Sequence, residues 1–256
     1  MTVGAATQWL MNGAFMAAFC CLGAAQQPAV NERVPLNSIV EALQKAQAAV
    51  HPEVSYQLVR EYRLSSARGS GADSAVVAEV NFRPPAHADF SIQRSSGNNR
   101  GREVVQRVLK HETERAFHSN QAQIALTRDN YEFRYIGEAV FDDAPCYLLE
   151  LKPRRREPEL ISGQVWIDKH SFLARHIEGE LAKSPSWWLR RVRVKLTFAN
   201  LDGTWLQSSM EAVADVRIVG THTLTSRVLD YRTVGEVARA GTLSQSASQA
   251  VMISSH

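Results

Sequence analysis

The chain has 256 residues, of which 45% are hydrophobic, 21% charged and 8% aromatic, with 14 Gly and 9 Pro. These proportions exclude a collagen, a coiled coil and a wholly disordered chain; at this length a fold buries roughly 70–75% of its unfolded surface and needs no disulfide or metal to hold a core. The 29 Lys and Arg against 26 Asp and Glu leave a formal charge of +3, too slight to indicate nucleic acid as a partner, and three cysteines cannot build a disulfide framework.

Residues 1–25 carry no charged side chain, and Leu10 to Ala25 run apolar and small. A stretch of about 16 such residues is shorter than the ~20 a bilayer span requires and suits the apolar core of a secretory signal peptide. Gly23-Ala24-Ala25 offers small residues for cleavage, although the leader lacks the usual basic residues ahead of its apolar run. The expectation is a signal peptide at 1–25, a linker at 26–35 and export. Phe19 beside Cys20 and the Cys20-Cys21 pair argue against lipid anchoring. Cleavage leaves Cys146 alone, between Pro145 and Tyr147 at the start of a strand, where a packed thiol is expected rather than a nucleophile.

The first predicted element after the linker is a helix. Ile39, Val40, Leu43, Ala46 and Val50 recur at helical spacing, Ser38 and Glu41 have the spacing of a capping box, and Pro52 ends the run. The period then changes to two. Tyr56, Leu58, Tyr62 and Leu64 mark one strand, Val76 to Phe82 a second, and Phe90 with Ile92 a third. A second helix is predicted from Arg102 to His118, with Val105, Val108, Leu109 and Phe117 facing inward, and a further turn or loop around Gln121 to Leu126. Strands follow at Tyr131 to Tyr135, Cys146 to Lys152, Gln164 to Asp168, Leu173 to Glu180 and Arg191 to Phe198. Leu201-Asp202-Gly203-Thr204 reads as a hairpin turn before two long strands, Trp205 to Val219 and Thr221 to Arg232, separated at Gly220. Periodicity fades after Val237 into Ala, Ser, Gln and Gly, so a disordered tail is expected at 236–256.

The fold class expected is mainly β (α+β): a curved antiparallel sheet of about nine to eleven strands with two or three helices covering its concave face. A concave apolar surface of this kind is a usual seat for a hydrophobic ligand. The aromatic residues Tyr131, Phe133, Tyr135, Trp166, Trp187, Trp188 and Trp205 are the candidates for its lining or mouth.

Catalytic signatures are missing from the sequence: no GxSxG, P-loop, GxGxxG or HExxH occurs. His111, Glu114 and His118 could share one helix face and hold a metal, but Lys110, Glu112 and Arg115 make a solvated charged face the better reading. Asp142-Asp143 before Ala144-Pro145 is turn chemistry rather than a carboxylate pair. No enzyme activity, cofactor or metal is expected. Arg154-Arg155-Arg156 falls in a loop, while Arg190, Arg191, Arg193 and Lys195 line the polar face of a strand just after Trp187-Trp188. Cations beside tryptophans suit a membrane headgroup region or a membrane-protein partner. The alternative is a basic sheet face neutralised by Glu178, Glu180, Glu211 and Asp215.

Residues 135–140 (Tyr-Ile-Gly-Glu-Ala-Val), 144–153 (Ala-Pro-Cys-Tyr-Leu-Leu-Glu-Leu-Lys-Pro), 163–169 (Gly-Gln-Val-Trp-Ile-Asp-Lys) and 174–179 (Ala-Arg-His-Ile-Glu-Gly) resemble the strand run of outer-membrane lipoprotein-sorting proteins. These form the LolA/LolB-like lipoprotein-carrier superfamily, which includes the sensor domain of RseB/MucB-type regulators. The resemblance spans about residues 36–232 and is strongest over 131–180, with the domain itself at 36–235. It implies a half-open β-barrel capped by helices, a periplasmic location, a monomer, and reversible non-catalytic binding of lipid or lipoprotein acyl chains. An envelope sensor or protein-interaction module of the RseB/MucB type is the alternative. The superfamily's barrel arginine has no secure counterpart here; Arg60 and Arg63 are both positional candidates.

Overall fold

A computed structural model describes residues 34–50, 53–67, 73–85, 87–117, 125–218 and 220–234. The expected signal peptide, all but the last two residues of the expected linker, and the expected tail fall outside the described residues. Two helices and ten strands are present among the described residues: α1 (Leu36–Ala49), β1 (Tyr56–Ser66), β2 (Ser74–Arg83), β3 (His87–Gly97), α2 (Asn99–Phe117), β4 (Tyr131–Phe141), β5 (Ala144–Pro153), β6 (Ile161–Asp168), β7 (Ala174–Leu181), β8 (Leu189–Leu201), β9 (Thr204–Val216) and β10 (Gly220–Thr233).

All ten strands form one antiparallel sheet in the order β3-β2-β1-β10-β9-β8-β7-β6-β5-β4. Every neighbour is consecutive in sequence except β1 and β10, whose pairing unites the first three strands with the last seven. The outermost strands, β3 and β4, do not pair with each other, so the sheet is open. Six register irregularities interrupt the ladders, at Val59/Arg60, Val77/Ala78, Tyr135/Gly137, Trp166/Ile167, Leu189/Arg191 and Thr197/Phe198. Each such bulge adds local twist, and a sheet of about ten strands curls rather than staying flat. The expected half-open barrel is consistent with this arrangement.

Turn chemistry follows the sequence. Asp142 and Asp143 both adopt positive φ (49° and 58°), as do Asp202 and Gly203 (47° and 91°), the backbone required by two-residue hairpins between right-twisted strands. The strand expected to end before Gly137 instead continues to Phe141 through a bulge.

The helices differ from expectation at their starts. Pro35 occupies the N-cap of α1 with no side-chain cap, and its carbonyl accepts the Ile39 N–H at 3.2 Å. Ser38 is therefore already inside the first turn, where its hydroxyl cannot act as a cap, and the expected capping box is not used. Asn37 is engaged elsewhere, accepting a bond from Arg128 Nη2 at 2.8 Å. At the other end, the Gln47 amide donates to the Leu126 carbonyl and accepts its N–H, each at 3.3 Å, tying α1 to the chain entering β4. The second helix starts three residues early because Asn98 caps it: Oδ1 of Asn98 accepts the Gly101 N–H at 2.7 Å. Gly101 also permits close packing on β2, since a Cβ there would fall 2.1 Å from Ser74 Oγ.

Both helices lie on the same face of the sheet. Ile39, Val40 and Leu43 of α1 enter a core with Phe133, Leu149, Leu151, Val165 and Ile177 of β4 to β7, bordered by Val192 and Val194 of β8. Val105 and Leu109 of α2 pack with Tyr62, Val76 and Ala78 of β1 and β2. Burying each of these side chains contributes about 1.5–3 kcal/mol before chain entropy is counted.

Candidate functional site

The inner face can be followed strand by strand because residues directly opposite in a ladder share a face. One row runs Tyr135, Leu149, Val165, Ile177, Leu196, Met210, Ser226, Tyr62 and Val76, from β4 to β2. Leu149, Val165 and Ile177 are buried beneath α1, and Tyr62 and Val76 beneath α2. Between them, Leu196 and Met210 are only half-buried. The adjacent row repeats the pattern: Val194 is buried, whereas Ala212, Leu224 and Leu64 are half-buried.

Every residue of β9 is half-buried, on both faces. A strand deep inside a ten-stranded sheet, with apolar residues pointing inward, would be dry on that face if anything covered it. α1 covers the β4–β8 side and α2 the β1–β3 side, so β9 and β10 form a seam between them. Its inner surface is Met210, Ala212 and Ala214 on β9 and Leu224 and Val228 on β10. The two alanines border the core under α1, and β9 is roughly 40 Å long at about 3.3 Å per residue.

Arg60 stands at the floor of the seam. Its side chain is buried on the inner face of β1 and reaches over β10, donating from Nη2 to the Gln207 carbonyl and from Nη1 to Ser226 Oγ at 3.5 Å. Its Nε has no protein partner, and no carboxylate among the described residues pairs with it. Nearby, burial pushes the Tyr56 hydroxyl up to about 12, reinforced by Tyr231 and opposed by the Arg60 charge. Arg63, the other positional candidate, lies on the opposite, outer face and pairs with Glu61 at 2.8 Å. Two recesses, of about 400 and 320 Å³, are present: one at Glu61, Arg63, Thr225, Ser226 and Arg227, between β1 and β10, the other at Tyr56, Asn81 and Asp89.

The seven aromatic candidates are dispersed. Tyr131 and Phe133 are buried core residues of β4, ring centroids 6.1 Å apart, and the Tyr131 hydroxyl accepts the Ile161 N–H. Tyr135 is half-buried against the same core. Trp166 points to the outer face, between inner-facing Val165 and Ile167, and packs edge-on against His176. Trp187 and Trp188 project from the β7–β8 connection, 80% and 42% exposed. Trp205 donates its ring N–H to the Ala174 carbonyl, with Arg175 over its face. The seam residues themselves escaped the sequence reading; their only local signal is the alternation of Met210 and Ala212 with Ser209 and Glu211, which Val213 then interrupts before Ala214.

On the outer face, Arg191 pairs with Glu180 at 3.1 Å and Lys195 with Glu211 at 3.4 Å, while Arg193 lies opposite Glu180 in the ladder. That strand face is thus largely neutralised by its neighbours. Asp168 organises the β6–β7 turn: Oδ1 accepts from the N–H of His170 and Ser171 and the Ser171 hydroxyl, and Oδ2 accepts from Arg175 Nε at 2.6 Å. Burial alone would push its carboxyl up, but these donors outweigh it and hold the pKa at about 2. His176 stacks on Phe141 at 4.5 Å, and burial pushes its imidazole below its ordinary value against the pull of Glu178. Burial likewise pushes the Cys146 thiol up, with Asp168 adding to the effect, so it is a packed thiol rather than a thiolate. The side chains of His111, Glu114 and His118, the metal set weighed against a solvated face, lie outside the described residues.

No family model and no curated protein matches this chain. Among solved structures it is similar to a DUF1329 family protein from Desulfovibrio piger (12% identity, 79% of this chain and 95% of that one, TM-score 0.42). It is also similar to a putative outer membrane lipoprotein-sorting protein domain from Vibrio parahaemolyticus (14% identity, 77% and 93%, TM-score 0.39) and to a LolA superfamily protein from Nitrosomonas europaea (13%, 80% and 96%, TM-score 0.38). The last two bear the names of the family that residues 131–180 resemble.

Proposed function

We propose that this protein is a periplasmic, non-catalytic carrier or binding protein for lipid or lipoprotein acyl chains, which lie along the seam over β9 and β10. The observation that carries the reading is that Leu196, Met210, Ala212 and Leu224, inner-facing residues in the middle of the sheet, are only half-buried at the borders of the α1 and α2 cores. Each methylene moved from water into such a surface contributes about 0.8 kcal/mol, so a long chain gains useful affinity without a catalytic group or cofactor. The gain is graded and non-directional, which suits reversible loading and release. Arg60 adds one polar group to an apolar floor, as expected of a site that orients an amphiphile.

The test is mass spectrometry of organic extracts from natively purified protein. Co-purifying long-chain lipid, displaced by added fatty acid, is the expected result; protein that is lipid-free and does not take up fatty acid overturns the proposal. A sensor of the regulator type would in addition capture a membrane protein when stripped of lipid, which a pull-down with delipidated protein detects.

A further inference from the structure

The seam ends at a surface the carrier reading does not use. The β7–β8 connection and the β9–β10 turn meet at one end of the sheet, where Leu189 pairs with Val216. They are tied together by Arg217, whose backbone N–H donates to the Trp188 carbonyl at 2.9 Å and whose Nε donates to the Trp187 carbonyl at 2.7 Å. Trp187 on one loop and Ile218 on the other are 80% and 81% exposed, the two most exposed large hydrophobic side chains among the described residues. Lys183, Arg190 and Arg217 are exposed around them, and residues 182–190 contain no acidic side chain. Asp215, the nearest carboxylate in the turn strand, accepts the Thr221 hydroxyl at 2.9 Å and sits opposite Arg191.

We infer that this two-loop tip docks on an anionic lipid bilayer, with Trp187, Trp188 and Ile218 entering the headgroup region and Lys183, Arg190 and Arg217 facing lipid phosphates. Tryptophan is favoured at the membrane interface because its ring is apolar and its N–H is polar, while cations beside it gain from the negative surface potential. Solvent-exposed side chains of this size are costly to leave in water and cheap to place in that layer. The Arg217 bonds hold both loops in place before contact, so little ordering entropy is lost on docking. The tip also adjoins the end of the seam: Ala214 and its ladder partner His222 lie within four residues of Ile218. Docking therefore brings that end of the seam to the bilayer surface. The docking itself stands whether or not the seam carries acyl chains.

Sedimentation with vesicles tests it, using delipidated protein purified from its native cells and variants in the same form, so that any contribution of residues 1–33 is common to all. Binding to phosphatidylcholine vesicles containing phosphatidylglycerol is expected, and weak binding to phosphatidylcholine alone. Trp187→Ser with Ile218→Ser should weaken it at least tenfold. Each of Lys183→Gln and Arg190→Gln should weaken it about fivefold at low salt. Because these side chains are exposed, unchanged melting is expected and separates docking from folding. Failure to bind anionic vesicles, or binding unaffected by the Trp187 and Ile218 changes, overturns the inference. Loss of vesicle binding in a variant that still retains lipid leaves the carrier reading intact, whereas docking by a protein that holds no lipid overturns that reading alone.

Discussion

Strands β5 and β9 belong to the same sheet and have similarly alternating sequences, yet their burial differs. In β5, Leu149 and Leu151 are wholly or almost wholly buried and alternate with more exposed Glu150 and Lys152; in β9 nothing is fully buried and nothing fully exposed. The difference lies in what sits above them. Leu149 shares a core with Ile39, Val40 and Leu43 of α1, whereas Ala212 only borders that core and Met210 belongs to neither helix's core. Burial is thus assigned by the covering element, and a strand left uncovered retains apolar surface that a ligand can take up.

The largest effect expected from this contrast is at Leu149. Leu149→Ala should destabilise the fold by about 3 kcal/mol through lost burial and the cavity left behind, measured as a shift in the urea midpoint. Met210→Ala should cost less than half as much; equal losses would break the comparison.

Acid is the next largest lever. The Asp168 carboxyl has a folded-state value of about 2, below its ordinary 3.8, so the associated stability is fully present above pH 3.8 and is lost as pH falls through about 2. The shift corresponds to about 2 kcal/mol. Asp168→Asn should flatten stability between pH 4 and 2, and an undiminished slope in that variant would place the acid-sensitive group elsewhere.

Smaller in stability but sharper in function is filling the seam. Ala212→Phe should change stability by less than about 1 kcal/mol, because Ala212 is only half-buried at the border of the α1 core, while lowering fatty-acid uptake at least tenfold. A strongly destabilised Ala212→Phe protein would mean that the seam is closed. Hydrogen exchange offers the least perturbing check: backbone amides of β9 should open at lower free energy than those of β5 and β6.

Much of the architecture was legible before any coordinates. Alternation placed nearly every strand, and Asp142-Asp143 and Asp202-Gly203 marked two hairpins because few other residues accept positive φ. The α1 start was misjudged because Ser38 and Glu41 have the right spacing for a cap, but Pro35 had already set the entry to the helix three residues earlier. The aromatic candidates fall in different surroundings. Size and apolarity cannot distinguish Tyr131 under a helix from Trp187 in solvent, since both are settled by neighbours far away in the chain.

The chain's own residues determined the strands, their turns and the face each side chain takes, since those depend on a two-residue period and on local backbone preference. The pairing of β1 with β10, the division of the inner face between α1 and α2, the separation of Arg60 from every carboxylate among the described residues and the meeting of Trp187 with the Ile218 turn were decided only in three dimensions. Those features join residues up to 177 positions apart, and no local pattern encodes which distant surface will cover a given strand.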